Sequence, residues 1–371
     1  MKTLIFSHHD ADGVLSSRIL ERALSQPGDI VDVRYQNWSD FGVHEKDIEL
    51  FSKYDTIFVT DLGTTKENLE VLSKISKEKN VYLIDHHPVE DSLDNYTSPN
   101  FSIINRQDNC SGGLAYLFVK EIGKADDISL WYATMAVYSD VVYELEGGKQ
   151  IIQEAYQKGL PLLYNIVYFD GVKEMQIPQA SLYGSYINGA RRVAYNYGPI
   201  VSLNALKELE ENGDLSIIVD NMTEEQEAMM PHVALLKTWQ QRWLQRRSEA
   251  LKQDVAKTVE LTGKIHLLIT FTDHPYDVAG YVAGVKSRSG NSIAINYGVP
   301  DGTYANLSGR VNENEKIDLN LLMSILNELT EGLISGGGHP EAVGGKVSRA
   351  LTRQQVISFF DKAIRIMGGD I

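Results

Sequence analysis

The sequence predicts an α/β fold with a parallel-sheet N-terminal domain and a smaller α/β C-terminal domain, joined by a helical linker. Three observations predict it. Short apolar runs alternate with helical stretches early in the chain, the pattern of βαβ units. A second strand–helix unit begins near residue 265. A long helical stretch with its own start signal lies between them. The first strand is read at 3–6, followed by a polar turn at 7–13 and a helix from Val14 to about Leu24. Residues 56–60 form the next strand-like run, ending in Asp61, before a helix near 66–77. Residues 81–84 form a third, ending in Asp85. Helical patterns dominate from 111 to 210, with breaks expected at Gly147-Gly148 and Pro161. Thr223, with Gln226 three residues on, is a capping-box signature for a helix from Glu224 to Thr258, which Pro231 should kink or restart. The second unit reads as a strand at 265–271, a helix at 276–288, strands at 292–297 and 303–311 around a turn at 299–302, and a last helix at 353–367. The expected boundaries are 1–215, 216–262 for the linker, and 263–371.

Composition narrows the function. A chain of 371 residues fits two domains, at about 100–200 residues each. Hydrophobic residues are 43 % and charged residues 23 %, ordinary for a globular protein and unlike a disordered or fibrous one. The net charge of −15 argues against a protein that coats duplex DNA, which needs many Lys and Arg against phosphates. A local positive pocket for a nucleotide stays open. Residues 265–371 carry 9 basic and 11 acidic side chains, so the second domain is the less hostile to an anion. The single cysteine, Cys110, excludes an intramolecular disulfide and a cysteine zinc cluster, and buried packing suits it better than nucleophilic duty. The Met-Lys-Thr start runs straight into a strand, so no signal peptide is expected. The apolar runs are too short to span a bilayer. A cytoplasmic enzyme without a membrane partner is the resulting expectation.

The chemistry lies where acids and histidines fall. His8, Asp10 and Asp12 stand in Ser7-His8-His9-Asp10-Ala11-Asp12-Gly13, directly after the first strand. Asp61 ends the second, and Asp85-His86-His87 ends the third. In an open parallel sheet the C-terminal strand ends meet at one rim, where ligands bind. Carboxylates gathered there repel one another, and a divalent cation offsets the repulsion. Oxygen and imidazole donors without thiolate favour Mn²⁺, Mg²⁺ or Fe²⁺ over structural Zn²⁺. A shared carboxylate can bridge two ions, a pairing suited to attack on phosphorus. Taken singly, each acid could be a helix cap and each histidine a packed side chain; together they argue for a site.

These motifs resemble the DHH phosphoesterase superfamily, named for the element matched by Asp85-His86-His87. The first family motif is matched by His8, Asp10 and Asp12, with a spacing similar to the RecJ-type members, and the second by Asp61. The fourth is matched by Asp140 after an apolar helical stretch, with Asp126 and Asp127 as alternatives. Gly336-Gly337-Gly338-His339 and Ser308-Gly309-Arg310 resemble the glycine-rich and Ser-x-Arg elements of the DHH-associated substrate domain. The resemblance implies two divalent ions, Mn²⁺ preferred and Mg²⁺ usable. One would be held by His8, Asp10 and Asp61, the other by Asp12, Asp61, His86 and Asp140, with Asp61 bridging. It also implies that Asp85 orients a histidine and that His87 contacts the scissile phosphate or helps the leaving oxygen depart. Ser308, Arg310, Gly337, Gly338 and His339 would bind substrate, as would Ser111 if the helix start at 111 receives an anion; Ser111 is equally a good N-cap. His9 is expected to point away. Trp239, Trp243, Arg242 and Arg246 share helical faces; packing is the commoner explanation and base stacking the other.

As a whole the chain resembles the nanoRNase and oligoribonuclease members. That implies hydrolysis of short oligonucleotides to mononucleotides, from the 5′ end, with an active-site cleft between the domains. Short single strands or dinucleotides are the expected partners, and a homodimer is left open. A cyclic or linear dinucleotide phosphodiesterase, a 3′,5′-bisphosphate nucleotidase and a non-catalytic nucleotide sensor are the alternatives.

Overall fold

The computed structural model describes the chain except residues 39–41, 90–91, 97, 161–165, 170–173, 178, 213–221, 255–257, 262–263, 301, 316 and 370–371. It divides into two compact units, Met1–Gln241 and Arg242–Ile371. The boundaries expected at 215/216 and 262/263, and the break expected at Pro161, lie outside the described residues.

The first unit is built on a five-stranded parallel sheet. Its strands are β1 (Lys2–Ser7), β2 (Ile30–Tyr35), β3 (Thr56–Thr60), β4 (Asn80–Asp85) and β5 (Phe101–Asn105), in the order β2-β1-β3-β4-β5. The inner strands are continuous apolar runs because both faces are covered. Ile5, Phe58 and Ile84 point into a core shared with α1 (Ala11–Leu24), α4 (Ser111–Glu121), α5 (Asp127–Ser139) and α6 (Glu146–Gln157). Their neighbours Leu4, Phe6, Ile57, Val59 and Leu83 point the other way, onto α2 (Ile48–Phe51) and α3 (Lys66–Ile75). β2 and β5 escape the sequence reading because they are edge strands: Asp32 and Arg34 break the apolar run of β2, and both carry half-exposed side chains. The strand order reverses between β1 and β3, the switch point where a parallel sheet of this order opens a crevice.

Two expectations for 111–210 are corrected. A two-stranded hairpin, β6 (Ile166–Phe169) and β7 (Glu174–Ile177), interrupts the helices before α7 (Gln179–Ala194) and α8 (Gly198–Asn212). Gly147 and Gly148 do not break a helix; they lie in the first turn of α6, where a Cβ on Gly148 would stand 2.2 Å from the Val142 carbonyl oxygen. Close packing, not chain reversal, requires those glycines.

The expected long helix is two. α9 (Glu224–Met229) carries the predicted capping box of Thr223 and Gln226, and α10 (Pro231–Asp254) restarts at the proline. The division between the units falls within α10, and the helix ends before Thr258, which begins β8 (Thr258–Leu261).

The second unit carries a six-stranded sheet, order β12-β13-β11-β10-β9-β8. Besides β8 it comprises β9 (Leu267–Thr272), β10 (Asn291–Asn296), β11 (Tyr304–Arg310), β12 (Ile334–His339) and β13 (Ala342–Ser348); only β9 and β10 pair in parallel. One face packs on α12 (Leu319–Leu329) and α13 (Arg353–Gly368) around Ile269, Ile293, Leu307, Val343 and Phe360. α11 (Ala279–Lys286) covers part of the other, packing Ala279, Val282 and Ala283 against Ala294. The glycine-rich element is not a flexible loop: Gly336–Gly338 belong to β12 and pair with β13.

Candidate metal centre

β1, β3 and β4 end side by side, so their following residues converge. Ser7, the last residue of β1, shares a hydrogen bond with Thr60, the last of β3 (2.7 Å). The chain then turns through His8 and His9 into α1, whose N-cap is Asp10. Gly13 is obligatory in this turn, because a Cβ there would lie 2.3 Å from the His8 carbonyl oxygen. Asp12 sits in the first turn of α1 and is buried. Asp61 follows β3 with a left-handed φ of 61°, a conformation aspartate tolerates better than most residues.

His8 Nδ1 lies 3.1 Å from Asp10 Oδ2 and 3.3 Å from Asp61 Oδ2. His86 Nε2 lies 3.4 Å from Asp61 Oδ1, 3.4 Å from Asp140 Oδ2 and 3.8 Å from Asp12 Oδ2. Asp61 therefore offers one oxygen to each group. Donor atoms of His8, Asp10 and Asp61 lie within 4.8 Å of one another, as do those of Asp12, His86 and Asp140, and those of Asp61, His86 and His87. Asp140 ends α5 and reaches this cluster. The alternatives do not: Asp126 caps α5 through Ser129 and pairs with Arg22, and Asp127 binds Lys158.

Two helix-start amides serve the cluster. Ser111 N and Gly112 N donate to the two oxygens of Asp12, at 2.7 and 2.8 Å. A Cβ on Gly112 would lie 2.4 Å from that of Ala136, so the helices could not approach this closely with a side chain there. The Ser111 hydroxyl stands 3.3 Å from Asp61 Oδ1. Ser111 thus spends its donors on two of the acids. The N-cap of α4 is Cys110, buried, its sulfur accepting from Gly113 N. Asp85, fully buried, accepts from Gly63 N (2.7 Å), His87 N (2.8 Å) and His87 Nδ1 (2.8 Å), which fixes the His87 ring.

The charges are out of balance without cations. Burial, then the carboxylates of Asp61 and Asp140, push Asp12 well above the usual carboxyl range. Burial, with Asp61 and Asp10 beside it, raises Asp140 to about 7. Burial alone would lower the histidines, but the acids outweigh it: Asp10 and Asp61 lift His8 to about 10, and Asp61, Asp140 and Asp12 hold His86 far above its ordinary value. Asp85 likewise raises His87 and is itself held low, burial being overcome by His87 and His86. Asp61 Oδ2 is buried and has no hydrogen-bond partner among the described residues. Orphaned carboxylate oxygen, imidazoles and no available thiolate form a donor set that fits divalent Mn²⁺ or Mg²⁺.

Residues 2–144 match the family model for the DHH family, N-terminal domain, and residues 264–366 match that for the DHHA1 domain. The chain belongs to the DHH phosphoesterase superfamily. No curated protein sequence matches it. Among solved structures, an exonuclease RecJ bound to manganese superposes with a TM-score of 0.65 at 16 % identity, over 98 % of this chain and 90 % of that one. The DHH domain of a member of the s1p family of ribosomal proteins gives 0.62 at 15 %, over 98 % and 86 %. RecJ from Thermus thermophilus in complex with Mn²⁺ gives 0.61 at 17 %, over 98 % of this chain and 52 % of that one. At these identities the likeness is one of fold.

Around the DHH centre, His9 was read from the sequence as pointing away, while Asn188 and Arg191 fall outside that reading. His9 is buried against the His8 ring (centroids 4.3 Å apart) and joins none of the three donor groups. On α7, Asn188 Oδ1 accepts from Ala11 N at 3.1 Å, and Arg191 acts electrostatically on His9 and Asp10, its buried Nε without a partner among the described residues. α7 is polar at many positions, so nothing in its sequence singles out these two residues. Both tryptophans of the connecting stretch are buried: Trp239 against Tyr197, and Trp243 donating to the Asp277 carbonyl with Arg247 over its ring. Packing, not base stacking, explains them.

In the DHHA1 sheet, Ser308, Arg310, Gly337 and His339 share one face, since Ser308 pairs with Gly344 and Gly344 with Gly337, while Arg310 pairs with Ala342 and Ala342 with His339. Gly338 is on the opposite face, paired with Val343 of the core, and its φ of 148° with the Ala342 carbonyl 2.5 Å from a would-be Cβ accounts for that glycine locally.

Proposed function

We propose that this chain is a metal-dependent phosphodiesterase that hydrolyses short oligonucleotides to mononucleotides, from the 5′ end. The observation that carries the reading is Asp61, whose two carboxylate oxygens serve two separate donor groups. His8, Asp10 and Asp61 would hold one cation; Asp12, Asp61, His86 and Asp140 would hold the other. Bound divalent cations supply charge neutralisation at a phosphoryl oxygen and water of lowered pKa. The chain's own residues set the stage. The Ser111 and Gly112 amides fix the Asp12 carboxylate, and Asp85 fixes His87 by accepting its Nδ1–H. A cationic His87, favoured by Asp85, would stabilise the scissile phosphate and can give a proton to the departing oxygen. The net charge of −15 supports small substrates, because long strands gain affinity from extended basic tracks.

Incubating the protein with Mn²⁺ and a labelled ladder from dinucleotide to long strand tests the reading. Mononucleotide release from the shortest members, stopped by EDTA, is expected. Activity that survives thorough chelation, or none on any oligonucleotide, overturns it.

A further inference from the structure

The turn that ends α5 is explained by packing at every position but one. Asp140 is the C-cap, and the next residue, Val141, has a left-handed φ of 60°. Val142 N closes the turn by donating to the Val137 carbonyl (3.1 Å), and the side chains of both these valines belong to the core. A helix end of this geometry favours glycine at the left-handed position, and a β-branched residue there is an outlier. Val141 is 66 % exposed, so burial does not offset its strain. Strain without a packing reason, one residue from a metal-ligand candidate, directs attention to a ligand.

The same turn builds an aromatic pair. The reversal at Val141 carries Tyr143 back to Tyr138, with ring centres 5.7 Å apart and planes inclined by 31°. Tyr138 is half-buried and packs on the core, while Tyr143 is exposed, as are Val141 and Leu145 on either side of it. The surroundings are acidic. Asp140, Glu144 and Glu146 lie in this segment, and no Lys or Arg occurs from Tyr138 to Gly148. Lys149, the first cation after it, faces Glu144 at 3.7 Å. Such a rim repels phosphate. A nucleobase is uncharged, and its π face stacks on tyrosine whatever the sequence. Tyr143 stands three residues beyond Asp140, so its backbone lies within about 11 Å of that metal-ligand candidate, the reach of a single nucleotide.

We propose that Tyr138 and Tyr143, with the strained Val141 between them in the chain, form a base-stacking rim of the metal centre, which holds a nucleobase next to the phosphodiester being cut. The proposal rests on the oligonucleotide reading and adds to it a source of affinity for substrates too short to gain from a basic track. The test is equilibrium binding to the full chain in Mn²⁺. The probe is a labelled dinucleotide whose leaving-group oxygen is replaced by methylene, which blocks cleavage, compared with the same compound lacking one base or the other. Wild type should bind the two-base probe about tenfold more tightly than at least one of the abasic forms, within the range for one stacked base. Tyr143→Ala should cut that preference to about threefold or less, and Tyr143→Phe should keep it, because stacking needs the ring and not the hydroxyl. Val141→Gly, which relieves the left-handed strain, should melt no lower than wild type and bind the two-base probe more weakly. An unchanged preference in Tyr143→Ala, no preference or no binding in wild type, or equally tight binding by Val141→Gly overturns the proposal. Cleavage of the ordinary dinucleotide is scored separately. If wild type fails to cut it while the Tyr143-dependent preference persists, the catalytic reading falls and the stacking rim stands; if wild type cuts it and shows no base preference, the rim alone falls.

Discussion

Asp61 concentrates the residue-scale argument. It is buried, carries a left-handed backbone, and shares its oxygens between two imidazole-bearing groups. Asp61→Asn keeps a side chain that tolerates the left-handed region. It should retain the melting temperature within a few degrees in EDTA while Mn²⁺-dependent hydrolysis drops to background; near-normal turnover would refute the bridging role. Asp85→Asn should lower kcat by about 10–100-fold, the usual cost of losing an orienting partner. A pH–rate profile checks it, since Asp85 holds His87 raised and its loss should move the His87 limb to lower pH. Protons compete with cations at this site. Asp140 titrates near 7, above its unfolded value of 3.8, so in chelator its folded form is favoured protonated; that stabilisation is present below about pH 4 and is lost as pH rises through 7. The Mn²⁺-induced rise in melting temperature should accordingly be larger at pH 8 than at pH 6, and the reverse order would contradict the assignment. Asp61 and Asp85 were legible in the sequence because each ends an apolar strand, and Asp140 because it follows an apolar helical stretch. Asn188 and Arg191 were not, because a polar residue inside a helix has no positional signature until the helix is packed.

The elements explain which parts of the fold could be read and which could not. The three inner strands β1, β3 and β4 are buried on both faces and announce themselves as apolar runs. β2 and β5 are edge strands whose apolar runs are interrupted by polar residues, and the glycine-rich β12, also an edge, reads as turn or loop. Glycines mislead in both directions: Gly147 and Gly148 lie inside a helix, and Gly336–Gly338 inside a strand. Gly13 shows how an element can depend on one missing methyl. Gly13→Ala would force its Cβ against the His8 carbonyl, costing about 1–3 kcal/mol and displacing His8. A lowered melting temperature together with weakened Mn²⁺ binding is the expected pair of results; full activity at unchanged stability would show that the turn relaxes freely. The capping box at Thr223 was legible from residue spacing, and Thr223→Ala should cost about 1 kcal/mol while leaving activity alone.

The whole molecule is acidic and carries its candidate metal donors at the switch point of one sheet and its anion-binding candidates on one face of another. A chain with net charge −15 repels long polyanions unless a basic track compensates. Substrates of about 2–5 nucleotides should therefore be cut with higher kcat/KM than a strand of about 25, and the preference should weaken as salt screens the repulsion. A processive enzyme faster on the long strand would contradict the short-substrate reading. The family was legible from eight spaced acids and histidines. The substrate was not, because Ser308, Arg310, Gly337 and His339, distant in sequence, come to one face only through the sheet register. The most direct test of the central claim is calorimetric titration of Mn²⁺ into wild type and Asp61→Asn at pH 8. The account predicts two ions per wild-type chain and loss of at least one in the variant; a single ion in wild type, or two bound equally well by both, would contradict it.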